Sequence, residues 1–191
     1  MIHVLAVHGA WSSSASFNYL RTQIKNPWTC IDYDHSSYGM CDIIQKTITA
    51  ISKPCVVLGH SLGGIAALHT HDQPMVRGMI TLASPLAGLK LNLMQKIMSI
   101  SEIFPSLLAE ISTDSSYIRN MHAQSYTKPV QHLIATSGFN PFIYQPNDGV
   151  LPLTVQAGWS CGTVQNIETN HYEILQHHDT VASIKTFLSA V

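Results

Sequence analysis

Charge is scarce in this chain. Asp, Glu, Lys and Arg make up only 11% of its 191 residues, and ten basic groups nearly cancel eleven acidic ones. With no basic stripe to neutralise phosphates, nucleic acid is not an expected partner. Low charge combined with 46% hydrophobic residues excludes intrinsic disorder, because such a chain can bury enough apolar surface to offset its ordering entropy. Repeats and low-complexity linkers are missing, so a single domain over 1–191 is expected. The chain also lacks an unbroken apolar run long enough for a membrane. Its Leu- and Met-rich stretch after Gly88 is interrupted by Lys90, Lys96, Glu102, Pro105 and Glu110. The four cysteines, Cys30, Cys41, Cys55 and Cys161, show no C-x-x-C spacing, and three lie in or beside predicted strands; all read as reduced core residues. Residues 1 to 7 carry neither a charged n-region nor a cleavage site, so a cytoplasmic location is expected, with a secreted mature form as the alternative.

One hexapeptide organises what is present. Gly59-His60-Ser61-Leu62-Gly63-Gly64 follows the apolar run Cys55 to Leu58 and opens a small-residue helical pattern. A G-x-S-x-G pentapeptide sets its serine on a sharp strand-to-helix turn, where side chains at the glycine positions would clash. The helix start beyond it aims free N–H groups and a positive dipole end at charge developing on a substrate oxygen. Leu62 N–H is the first candidate donor of such an oxyanion hole.

Around this turn the pattern alternates. Residues 2 to 7 read as a strand, followed by His8-Gly9-Ala10-Trp11 and a Ser-rich loop. Ala10 N–H is the second candidate oxyanion donor, with Trp11 as the fallback. A helix over about 16–25, a strand over 29–33, a helix over 41–52, the strand into Ser61, a helix over 62–71 and a strand over 76–83 follow. Residues 86–125 depart from this alternation. Leu93, Ile97, Ile100, Phe104, Leu107, Leu108 and Ile111 recur at helical steps over a span too long for a simple return. The stretch reads as a helical lid, against the plainer reading of an ordinary crossover helix. Strands over 131–136 and 162–167 and a closing helix capped by Asp179 complete the chain.

Serine is a poor nucleophile unless a base takes its proton and a carboxylate orients that base. On this kind of elbow the partners follow in the order Ser, acid, His, on loops after later strands. Asp148, in Asn147-Asp148-Gly149, and His171, directly after the last strand, fit that order. His177 and His178 are rivals for His171. With Asp179 they also offer metal-ligand atoms, but no second ligand cluster accompanies them, and a solvated turn before the closing helix is the plainer reading. The chemistry requires no cofactor and no metal. Trp11, Leu86, Leu93 and Ile97 are the candidate substrate contacts.

His8-Gly9, Gly59 to Gly64, Asn147-Asp148-Gly149 and His171 together resemble the α/β-hydrolase superfamily, with motifs spread over almost the whole chain. The brevity resembles the minimal bacterial lipases. Thr81 to Gly88 is similar to the corresponding segment of larger lipases and of the inositol-deacylase-like group, while Val7 to Trp11 is similar to the methylesterase and hydroxynitrile-lyase branch. The resemblance implies an α/β fold: a mainly parallel sheet of about six strands in the order 2-1-3-4-5-6, flanked by helices, with a short lid at 86–125. It implies a serine carboxylesterase or lipase acting on a small-molecule or lipid ester, with transient contact with lipid surfaces. The alternatives are a small-molecule esterase or lyase-type enzyme, or a hydrolase-fold binding protein with little turnover.

Overall fold

The computed structural model describes residues 1–34, 37–90 and 109–191. Six strands form one sheet: β1 (His3–Val7), β2 (Trp28–Ile31), β3 (Cys55–His60), β4 (Val76–Leu82), β5 (Val130–Ala135) and β6 (Thr163–Ile167). Their order is β2-β1-β3-β4-β5-β6, and every pairing is parallel, as the sequence leads one to expect. β1, β3 and nearly all of β4 are buried, which explains their near-continuous apolar character. Successive residues still divide between two cores. Val4, Ala6, Val56, Leu58, Ile80 and Leu82 pack on one face, and Leu5, Val7, Cys55, Val57 and Met79 on the other.

Helices α1 (Asn18–Gln23) and the closing α6 (His178–Ala190) cover the first face through Leu20, Val181, Ile184 and Leu188. The second face is covered by α2 (Met40–Thr49), α3 (Leu62–Leu68) and α4 (Ser116–Ala123), with the short α5 (Leu153–Ala157) beside them. In α2 the buried residues Met40, Ile43, Ile44 and Thr47 form one helical stripe. Every residue of α3 is buried. A Cβ at Gly63 would stand 2.1 Å from the Val7 carbonyl oxygen, so only glycine lets this helix lie so close to β1.

Parallel pairing places the carboxyl ends of all strands on one edge. Val7 is level with Gly59, and His60 with Leu82. The turns that begin at His8, Ser61 and Ala83 therefore emerge side by side, and the loops after β5 and β6 open onto the same edge.

Within 86–125, α4 is the crossover helix from β4 to β5. Ser115 caps it, its Oγ accepting from Ile118 N–H at 3.2 Å, and Ile118 and Met121 are fully buried in the core. Leu89 and Ile111 are joined by a 2.9 Å backbone hydrogen bond, so the chain returns to the point it leaves. Residues 91–108, including the candidate substrate contacts Leu93 and Ile97, lie outside the described residues.

Three local expectations change. Cys41 lies on the solvent face of α2 and is exposed, not core; all four cysteines are free. Asp179 does not cap α6. The cap is His177, whose Nδ1 accepts from Asp179 N–H at 3.2 Å, leaving Asp179 inside the first turn, where its charge suits the helix dipole. The helix expected over 16–25 is a 3-10 turn, Ser14–Phe17, running into the shorter α1.

Candidate active site

Ser61 sits between β3 and α3 with φ 52° and ψ −121°, a conformation that costs a non-glycine residue on the order of 1–3 kcal/mol. Its neighbours impose it. A Cβ on Gly59 would lie 2.1 Å from the Gly63 carbonyl oxygen, so the chain can turn this tightly only with glycine there. Ser61 N–H donates to the Leu82 carbonyl at 2.8 Å, tying the elbow to β4. The loop after β1 crosses close by: a Cβ on Gly9 would approach Ser61 Cβ to 2.9 Å. Ala10 and Leu62, the candidate oxyanion donors, flank this contact. Leu62 is buried and Ala10 half-buried.

Asp148 and His171 are joined directly. His171 Nδ1 lies 2.6 Å from Asp148 Oδ2, with both side chains buried, and His171 N–H donates to the Asp148 carbonyl at 2.9 Å. The carboxylate is well supplied with donors. Its Oδ1 accepts from Val150 N–H at 2.9 Å and Leu151 N–H at 2.6 Å, and its Oδ2 from Gln156 Nε2 at 2.9 Å. The turn signal at Asn147-Asp148-Gly149 is thus satisfied locally, Gly149 adopting φ 97°, while the second carboxylate oxygen stays on His171.

His60 connects this pair to the elbow. Its Nε2–H donates to the His171 carbonyl at 2.8 Å, and the two rings stand 5.0 Å apart. Burial, followed by the electrostatic influence of His171, lowers the His60 pKa to about 3, so its imidazole is neutral near pH 7. Tyr172 packs edge-on against the His171 ring at 5.2 Å.

Gln156 belongs to no motif that marks it as part of the site. Its Oε1 accepts from Ala135 N–H at 3.1 Å and its Nε2 donates to the Ala135 carbonyl at 3.2 Å, so its amide caps the end of β5 like a further strand while also donating to Asp148. The short helix that carries it has no pattern longer than five residues to announce it.

The remaining candidates disperse. Trp11 is 47% exposed with φ 50°, next to Ala10. Leu86 is fully buried in the core, and its carbonyl accepts from His122 Nε2 at 2.7 Å. His177 and His178 stand at the start of α6 and pair with Asp179, not with Asp148. Ligand atoms of these three lie within 4.8 Å of one another, the one such grouping among the described residues. A cavity of about 680 Å³ opens between Ala87, Gly88 and Lys90 on one side and Phe142 to Gln145 on the other; neither Ser61 nor His171 lines it.

The family profile described as the alpha/beta hydrolase family matches residues 4–165, which take in His8 to Ala10, Ser61 and Asp148 and stop short of His171. The chain belongs to the alpha/beta hydrolase family. Solved members resemble it over nearly their full length. BpoC of Mycobacterium tuberculosis H37Rv, nominally a non-heme bromoperoxidase, superposes with a TM-score of 0.72 at 12% identity, covering 100% of this chain and 93% of that one. A hydrolase from Oleispira antarctica gives 0.70 at 10% identity, with 98% and 90% covered. A lipase-esterase related protein from Clostridium acetobutylicum gives 0.65 at 15% identity, with 97% and 93% covered. Identities this low carry the fold and no substrate. Among curated proteins, none matches the chain in sequence. Hydrolase chemistry follows from the family. No helix among the described residues is long and apolar enough to cross a membrane.

Proposed function

We propose that this hydrolase cleaves carboxylic esters of the acyl or lipid type, with Ser61 as nucleophile, His171 as general base and Asp148 as its orienting carboxylate. The observation that carries the reading is the buried 2.6 Å Asp148–His171 hydrogen bond at the sheet edge that also bears the strained Ser61. Asp148 at Nδ1 leaves Nε2 of His171 as the base. Ser61 Oγ attacks the ester carbonyl carbon as its proton passes to Nε2 of His171. Ala10 and Leu62 N–H groups hold the oxyanion, and the alcohol leaves with the proton from His171. Water then attacks the acyl-enzyme by the same route and releases the acid. Each oxyanion donor is worth on the order of 3 kcal/mol in the transition state. Exposed Trp11, beside Ala10, offers its ring to the substrate. The span 86–125 is the proposed lid-bearing insertion, its feet the bonded pair Leu89 and Ile111.

Hydrolysis of chromogenic esters from acetyl to palmitoyl, below and above the concentration at which they aggregate, tests the reading. Turnover abolished by Ser61→Ala is expected. A long-chain optimum with a rise above the aggregation point supports lipid esters and contact with their surface, whereas a short-chain optimum assigns a small-molecule esterase. A folded wild type that turns over none of the series overturns the ester reading.

A further inference from the structure

We propose that the loop over residues 139–146 is a docking element for a zwitterionic, phosphatidylcholine-like lipid surface, with Phe139, Phe142 and Tyr144 as the rings that enter it. The inference rests on the lipid-ester reading above for the reason a surface is sought, and it names the part of the molecule that meets that surface.

The loop is closed at its base and held from within. Gly138 and Asn147 pair as an antiparallel bridge, Gly138 N–H donating to the Asn147 carbonyl at 3.0 Å. Inside, Asn140 Oδ1 accepts from Phe142 N–H at 3.0 Å and its Nδ2 donates to the Gly149 carbonyl at 3.0 Å, while Asn147 Nδ2 donates to the Gln145 carbonyl at 2.9 Å. Ile143 turns inward and is buried. These polar groups are spent within the loop, and the rings are left outside it: Phe139 is 86%, Phe142 55% and Tyr144 91% exposed. Rings so open to water gain nothing from folding and keep their hydrophobic free energy for a further contact.

Position gives the patch a direction. Exposed Trp11, Tyr38 and Tyr172 lie in the segments that follow β1, β2 and β6, so they share the sheet's carboxyl edge with this loop and with Ser61. Among the described residues, the remaining exposed aromatic is Tyr19, on α1. A surface met by this edge is therefore brought to the side of the sheet that carries the proposed nucleophile.

Charge and area decide the occupant. No Asp, Glu, Lys or Arg stands between Lys128 and Asp148, so the loop takes no ion out of water on entering a membrane interface and offers none to a charged partner. Three rings, each burying about 150–250 Å² when fully covered, fall short of the roughly 800 Å² per partner that a stable protein interface needs. A lipid interface sets no such minimum, because aromatic rings settle at the headgroup level one by one.

The test is flotation with phosphatidylcholine vesicles, with Ser61→Ala protein as the reference and every variant made in that background, so that binding is read without turnover. Partition is expected to weaken by about 10- to 100-fold in Phe139→Ser/Phe142→Ser, to stay unchanged in Tyr19→Ser, and to vary less than about twofold between low salt and roughly 0.5 M salt. Thermal melts verify folding. Should the double variant melt early, Phe139→Ser alone, whose ring is almost wholly in solvent, is expected to weaken binding about three- to tenfold. Equal partition of the Phe variants and the reference overturns the docking loop, as does binding that requires anionic phosphatidylserine and disappears with salt. A lipid-free dimer in sedimentation that the Phe variants abolish assigns the patch to a second copy of the chain and overturns the lipid surface as its occupant. Ester hydrolysis by the wild type is scored separately. Vesicle binding without turnover of any ester sinks the ester reading and keeps the docking loop, whereas turnover without vesicle binding sinks the docking loop alone.

Discussion

Two buried histidines stand at the last two strands, His132 within β5 and His171 in the loop after β6, and what they face sets them apart. His171 has a carboxylate at 2.6 Å. His132, within β5 and fully buried, has instead the Thr81 hydroxyl at 2.8 Å on Nδ1, with Cys161 N–H donating to its Nε2 at 3.3 Å. Both nitrogens of His132 are thus engaged by neutral groups, and burial lowers its pKa to about 4. The neighbouring Cys161 thiol is pushed up to about 12 by its own burial, so the pair holds neither an imidazolium nor a thiolate near pH 7. Burial alone makes a histidine a neutral packing element. In the proposed triad, the role of the buried Asp148 carboxylate, held by three donors, is to stabilise the charge that His171 takes up as the base.

The largest expected effect comes from removing that difference. Asp148→Asn should lower ester kcat by about 10³- to 10⁴-fold, through loss of the orienting charge and tautomer. The amide NH₂ would also face Gln156 Nε2 or two backbone N–H groups, and chemical denaturation should show a loss of about 1–3 kcal/mol. Activity within tenfold of wild type would remove Asp148 from the proposed triad.

Gln156→Leu acts one step further out. It leaves both backbone groups of buried Ala135 and one contact of Asp148 without their partner, so a stability loss of about 2–4 kcal/mol and a fall in kcat of roughly tenfold are expected. Equal kcat in a destabilised variant would confine Gln156 to the strand end.

The comparison sharpens again with pH. Unfolded, His132 titrates near its ordinary 6.5; folded, it refuses the proton down to about 4. The unfolded state binds more protons between these values, so this contribution is complete above pH 6.5 and is lost as the pH falls toward 4, on the order of 3 kcal/mol. His60 extends the same loss toward pH 3. Urea melts of wild type and His132→Gln between pH 7.5 and 4.5 should show a shallower decline in the variant; parallel declines would mean that His132 protonates freely in the fold.

The legible parts of this molecule are those written in local periodicity or in fixed turn chemistry. Continuous apolar runs announced β1, β3 and β4 because both sheet faces are covered, and the glycines around Ser61 announced the elbow because no other residue fits 2.1 Å from a carbonyl oxygen. The meeting of Asp148 with His171 is legible because parallel strands bring the loops after β5 and β6 to one edge. Gln156 and the carbonyl contact of His60 were not legible, since each is a single polar group whose partner lies far away in sequence: 21 residues for Gln156 and Ala135, and 111 for His60 and His171. The exposure of Cys41 is not legible because a cysteine's apolarity does not reveal which side of an amphipathic helix it occupies.

The smallest effect expected belongs to the rival histidines. His177 caps α6 through Nδ1, so His177→Ala should cost about 0.5–1 kcal/mol in a melt and leave kcat unchanged. The same geometry weighs against a bound cation there. A metal on His177 Nδ1 would displace the capping bond from Asp179 N–H and would stand at the positive end of the α6 dipole. Adding zinc should therefore leave the wild-type melting temperature within error, and chelation should leave ester hydrolysis unaltered. A melting temperature that rises with zinc in wild type but not in His177→Ala would instead assign these side chains a ligand role separate from the pair at Asp148.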